Sequence, residues 1–126
     1  MVEGREKVLV ANDEADILEV IVDRLEYLGF DVRAVGDGQA CVEEIERDVP
    51  DLVLLDVRMP RMDGLAVLHW MQQHYAEVPV LMVSASADRE VVAESLARGV
   101  VDYMLKPFNG EELERKVLQA LKKEQP

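Results

Sequence analysis

Five short apolar runs, each separated from the next by a stretch with helical periodicity, constrain this chain more than any other feature. The runs are Lys7-Val-Leu-Val-Ala11, Asp31-Val-Arg-Ala-Val35, Leu52 to Leu55, Val78-Pro-Val-Leu-Met-Val83 and Val101 to Leu105. The third lies inside Asp51-Leu-Val-Leu-Leu-Asp56 and is continuous rather than alternating, as parallel strands covered on both faces are. The second is more polar and belongs nearer a sheet edge. Pro79 falls near the start of the fourth, where a missing donor is tolerated.

Between the runs, Ile17, Ile21, Leu25 and Leu28 form one stripe that stops at Gly29, a residue suited to a left-handed C-terminal cap. Asp37-Gly38 opens a helix to about Asp48, and Leu65, Leu68 and Met71 line the helix after Gly64. A fourth helix runs from about Asp88 to Arg98 and ends at Gly99. Asn109 caps the last, with Glu112 three residues on in a variant of the capping box, and Leu113, Val117, Ala120 and Leu121 form its apolar stripe. Repeated strand–helix alternation with short loops predicts a doubly wound parallel sheet in an α/β domain. Right-handed crossovers leave few topologies for it. At 126 residues the chain is long enough for one core, and residues 1–126 read as one domain. The Lys122 to Pro126 end suits either a terminus or the first residues of a linker.

A net charge of -12 argues against direct nucleic-acid binding, whose affinity comes largely from neutralising phosphates. Most of that acidity reads as a solvated surface, with a cation site as the smaller alternative. Cys41, the only cysteine, excludes an internal disulfide, fits a reducing compartment and reads as a packed thiol. There is no signal-like segment and no apolar run of membrane length, so the expected location is cytoplasmic. His69 and His74 lack an acid or cysteine partner at ligand spacing and read as surface residues, while Trp70 and the methionines read as packing or scattered surface.

The chemistry-bearing residues follow the strands. Asn12, Asp13 and Glu14 come after the first, Asp56 after the third, Ser84 after the fourth and Lys106-Pro107 after the fifth, where a cis bond is plausible. In a parallel sheet they converge on one rim, the side on which open α/β sheets bind ligands. Asp13 and Asp56 together repel unless a cation intervenes. Mg²⁺ suits such oxygen donors and takes only one or two protein carboxylates, completing its shell with water and phosphate. A carboxylate also serves as a nucleophile toward phosphorus, with Lys106 available for charge and Ser84 for a hydrogen bond. Asp13 and Glu14 have a plainer reading as acids at the positive N-terminus of the first helix.

Four segments, in order, resemble the receiver domains of two-component response regulators: Val8 to Glu14, Asp51 to Pro60 with Asp63-Gly64, Ser84-Ala85, and Tyr103-Met-Leu-Lys-Pro-Phe108. The resemblance covers essentially the whole chain. It implies a flavodoxin-like (βα)5 fold with strand order 2-1-3-4-5. It further implies Asp56 as phosphoacceptor, Asp13 and the Arg58 backbone carbonyl as Mg²⁺ ligands, Lys106 on the phosphoryl group, and Ser84 with Tyr103 as the switch pair. Asn12 stands where many receivers carry a second acid; its oxygen suits a metal-bound water, with weaker Mg²⁺ binding expected. The Arg58 side chain either screens the phosphate or pairs with Glu14.

By the same resemblance the partners are a sensor histidine kinase or phosphotransfer protein and a downstream effector domain or protein. The responding face is the fourth helix, fifth strand and fifth helix, roughly Ala87 to Lys122, which also suits a homodimer. Such a module catalyses its own phosphorylation and dephosphorylation but is not a conventional enzyme. Other readings fit less well. A haloacid-dehalogenase-type phosphatase wants a second Asp where Arg58 stands, and a flavodoxin wants a Ser/Thr/Gly-rich loop where Asn12 to Asp16 would repel phosphate. A degenerate receiver, binding partners without phosphorylation, is kept open by Asn12 and opposed by Asp56, Ser84 and Lys106.

Overall fold

Each apolar run becomes a strand and each periodic stretch a helix, in the order β1 (Lys7–Ala11), α1 (Ala15–Tyr27), β2 (Asp31–Val35), α2 (Gly38–Arg47), β3 (Leu52–Asp56), α3 (Gly64–His74), β4 (Val80–Ala85), α4 (Arg89–Ala97), β5 (Asp102–Lys106) and α5 (Gly110–Ala120). The computed structural model describes residues 5–85, 89–97 and 99–121. Asp88 and Arg98, the expected ends of α4, lie outside them, as do Ala87 and Lys122. The strands form one parallel sheet in the order β2-β1-β3-β4-β5, the flavodoxin-like arrangement. β2 is an edge strand, with one residue exposed and the other four half-buried.

Alternation along the strands divides the core in two. Leu9, Val53, Leu55, Val80 and Met82 pack with Cys41 and Ile45 of α2 and with Val67, Leu68 and Met71 of α3. From the other face, Val8, Val10, Leu52, Leu54, Leu81 and Val83 meet Ile21 and Leu25 of α1 and Leu113 and Val117 of α5. Both faces are therefore sealed, and the sheet's chemistry is confined to the ends of its strands. At the end of α1 the Gly29 N–H donates to the Glu26 carbonyl and the Phe30 N–H to that of Leu25. This is a Schellman closure in which Gly29 takes a φ of 99° and Phe30 is buried.

Three strands differ in their bounds from the sequence expectation, and β4 also runs two residues further than expected, to Ala85. β4 starts at Val80, not Val78, because Pro79 has no N–H to give the ladder; its carbonyl still accepts from the Val53 N–H at 3.1 Å. β5 runs one residue later than expected, from Asp102 to Lys106, and β3 includes Asp56 itself. On α3 it is Val67, not Leu65, that is fully buried alongside Leu68 and Met71, and Leu65 packs at the margin.

Candidate functional site

Strand register levels the site. Asp56, the last residue of β3, pairs with Val83, so Ser84 lies one step past it on β4. Lys106, the last residue of β5, pairs with Ala85. Ala11 ends β1 opposite Leu55, so Asn12 and Asp13 emerge from the strand beside Asp56. Asn12 and Asp13 follow β1, whereas Asp56, Ser84 and Lys106 lie in the last two residues of β3, β4 and β5 and not after them, and all share one rim.

Asp56 is the most constrained of them. It is 2% exposed, yet it is an acid. Lys106 Nζ lies 3.3 Å from each carboxylate oxygen but is aligned for a hydrogen bond to Oδ2 only, which leaves Oδ1 buried with no hydrogen-bond donor. Burial raises the Asp56 pKa above the ordinary carboxylate value; Lys106 works against that and the negative charge of Asp13 adds to it. For Lys106 burial favours the neutral amine, but the carboxylates of Glu14 and Asp56 outweigh it and hold the pKa above the usual lysine value. Lys106 is therefore an ammonium shared between two acids, and its shorter contact is to Glu14 Oε1, at 2.8 Å.

The loop after β1 is arranged for that contact. Asn12 is 2% exposed, and its Oδ1 accepts from the Glu14 N–H at 2.8 Å, an Asx-type local bond that fixes the turn. One lone pair of that oxygen remains. Glu14 occupies the N-cap position of α1 with extended backbone, but its side chain makes no cap hydrogen bond and reaches Lys106 instead. Asp13 is exposed.

The loop after β3 is held from both sides. The Val57 N–H donates to the Val83 carbonyl and the Gly64 N–H to the Val57 carbonyl. A Cβ at Gly64 would sit 2.2 Å from the Asp56 carbonyl oxygen, so only glycine lets α3 start this close to the acid. Arg61 takes a φ of 67° and binds Asp37 Oδ2 at 3.0 Å, while Asp37 caps α2 through the Ala40 N–H. The Arg58 side chain is exposed. Asp13, Arg58, Met59 and Pro60 line an open cleft beside Asp56.

Ser84 is 1% exposed and its Oγ has no hydrogen-bond partner. Tyr103 is half-buried against the core on the sheet face that carries α2 and α3. From the α5 side, Lys116 Nζ sits 5.5 Å from the Tyr103 ring centroid and donates to its carbonyl at 2.8 Å. The Lys106-Pro107 bond is cis. His69 and His74 are exposed, as expected.

The donor set fits a hard divalent cation. Among the described residues no group of three or more His, Cys, Asp or Glu side chains is clustered for a metal, but Mg²⁺ needs only one or two carboxylates plus water. Asp56 Oδ1, buried and without a donor, is the atom most in need of a positive partner. Asp13, exposed on the neighbouring loop, is the second carboxylate that a cation at this rim could meet.

Residues 8–118 match the family model described as response regulator receiver domain. The chain is 34% identical over 117 residues to the alkaline phosphatase synthesis transcriptional regulatory protein PhoP of Bacillus subtilis (strain 168), covering 93% of this chain and 49% of that protein. The chain thus spans about half the length of that relative. In structure it is similar to the receiver domain of NtrX from Brucella abortus, with a TM-score of 0.88 at 32% identity, covering 91% of this chain and 98% of the other. It is also similar to a CheY-like receiver domain protein from Methanospirillum hungatei JF-1, with a TM-score of 0.90 at 26% identity over 95% and 96% of the two chains.

Proposed function

This chain belongs to the response regulator receiver domain family, a family of signalling modules, and we propose that it is a phosphoacceptor switch whose acceptor is Asp56. The observation that carries this is a buried acid at the rim with one oxygen unpaired and an ammonium 3.3 Å away. An Asp56 oxygen attacks the phosphorus of a phosphohistidine on a sensor kinase or phosphotransfer protein. A P–O bond forms, the P–N bond breaks, and its electron pair leaves with the imidazole. Hydrolysis breaks that P–O bond: water attacks phosphorus, Asp56 leaves as carboxylate and inorganic phosphate is released.

Lys106 neutralises charge on the transferring oxygens. Ser84 Oγ, buried and unpartnered, is a donor in reserve for a phosphoryl oxygen. Asp13, Asp56 and the Arg58 carbonyl would hold Mg²⁺, with Asn12 reaching a bound water. Bound there, the cation supplies the positive charge that lets two carboxylates and a phosphate share the site.

Phosphorylation then biases the pose of Ser84 and Tyr103 and changes partner affinity at the face made by α4, β5 and α5. Leu105 of β5, more than a third exposed, is an apolar contact available there. The partner is an effector domain or protein, or a second copy of this chain. The match of residues 8–118 to one receiver-domain model supports reading the chain as a single receiver domain, acting in the cytoplasm beside its kinase. No helix among the described residues is long and apolar enough to cross a membrane.

The test is intact mass after incubation with Mg²⁺ and acetyl phosphate, beside Asp56→Asn. A single Mg²⁺-dependent phosphoryl adduct on the wild type alone is expected. A folded wild type that gains no adduct, from acetyl phosphate or from phosphorylated kinases, would favour a module that binds partners without phosphorylation.

A further inference from the structure

Glu14 is the site residue that the proposed reaction does not use, and its geometry gives it a part. Its carboxylate holds Lys106 Nζ at 2.8 Å, closer than the 3.3 Å from Nζ to Asp56. The contact is not incidental to helix capping, since Glu14 makes no cap hydrogen bond although it stands at the N-cap. Its backbone is aimed by Asn12, whose buried Oδ1 takes the Glu14 N–H. Asn12 contributes no charge to the rim, so the acids there are Asp13, Glu14 and Asp56.

We infer that Glu14 is a positioning residue with two opposed effects: it holds Lys106 back from Asp56, and it adds the negative charge toward a divalent cation that Asn12 does not. The inference rests on the phosphoacceptor reading. When Asp56 is to be phosphorylated, Lys106 must leave Glu14 for the phosphoryl oxygens, and that contact is then lost. Removing the carboxylate spares this loss and frees Lys106 to move fully onto the acceptor. The same removal strips a charge from the cation's surroundings.

The two effects separate by variant. Glu14→Gln removes charge and ion pair together. Glu14→Asp keeps the charge but is one methylene shorter, so its carboxylate falls short of Lys106. Two readouts are needed on each folded protein: Mg²⁺ affinity by calorimetry without phosphodonor, and the rate of phosphoryl uptake from acetyl phosphate at saturating Mg²⁺. Glu14→Gln is expected to weaken Mg²⁺ binding and to speed uptake, each by about two- to fivefold, the range an exposed ion pair is worth. Glu14→Asp is expected to keep the wild-type Mg²⁺ affinity while speeding uptake like Gln. A merely structural role would move both readouts in one direction and would not split them in the Asp variant. Unchanged or slower uptake in both variants, with a wild type that takes up phosphoryl, overturns the inference alone. A wild type that takes up none overturns the phosphoacceptor reading and the inference with it.

Discussion

Replacing Asp56 with Asn is expected to stabilise the unphosphorylated protein in the absence of Mg²⁺. The wild-type carboxylate is 2% exposed, and one of its oxygens has no donor. Lys106 compensates weakly: at 3.3 Å its contact is longer than the ~2.7–2.9 Å of strong charge-assisted bonds. Burial outweighs that contact and raises the Asp56 pKa, so the folded state binds this proton more tightly than the unfolded state does. Ionised Asp56 therefore lowers stability at neutral pH. The full deficit is present above the raised folded pKa and fades as pH falls through it toward the ordinary carboxylate value. An amide has no charge to desolvate. The gain at neutral pH should be on the order of 1–3 kcal/mol, the cost of one unsatisfied buried polar group. That corresponds to a rise in Tm of roughly 3–12 °C for a chain of this size. Urea titrations in EDTA at neutral and acid pH measure it, and the gap between the two proteins should narrow on acidification. A variant less stable than wild type at neutral pH would mean that the Lys106 ion pair outweighs desolvation, and the argument for a poised, underpaired acid would collapse.

Gly64→Ala places a Cβ 2.2 Å from the Asp56 carbonyl oxygen and 2.9 Å from the Val57 Cα, both backbone atoms. A loss of about 3 kcal/mol or more in denaturant titration is expected, at the upper end of overpacking costs; an unchanged midpoint would show that the loop yields freely. Ser84→Ala removes a buried hydroxyl that has no partner, so the stability of the unphosphorylated protein should hold or rise slightly. A loss near 2 kcal/mol by the same titration would reveal a hydrogen bond that the structure does not contain. The Cys41 thiol is fully buried and its pKa is pushed up to about 12 by burial. It should resist thiol reagents in the native state and react only at the rate of unfolding, measured with and without urea; fast native labelling would contradict its packing.

The strands were legible because both sheet faces are covered, so burial writes itself into the sequence as apolar runs around Val53, Leu81 and Val10. Their ends were less so. Pro79 is apolar and sits in the run, but its missing N–H postpones β4 to Val80, a hydrogen-bonding effect that hydrophobicity does not carry. Of the site, Asp56 and Lys106 were legible because parallel strands bring their C-terminal ends to one rim. Glu14 was not: an acid at a helix start suits the helix dipole equally well, and its partner is 92 residues away. Asp63-Gly64 announced a turn, whereas the approach of Gly64 to the Asp56 carbonyl depends on the path of the whole loop. The Arg61–Asp37 ion pair is likewise tertiary, joining the loop after β3 to the cap of α2.

Asp56, and no other acid at this rim, is expected to carry the phosphoryl group. Borohydride reduction of the Mg²⁺-dependent phosphorylated protein, followed by peptide sequencing in the mass spectrometer, tests it directly, because an aspartyl phosphate is reduced to homoserine. Homoserine at position 56, absent when Mg²⁺ or phosphodonor is left out, is the predicted result. Homoserine at position 13, or a phosphoryl group that survives borohydride on a hydroxyl, would contradict the account.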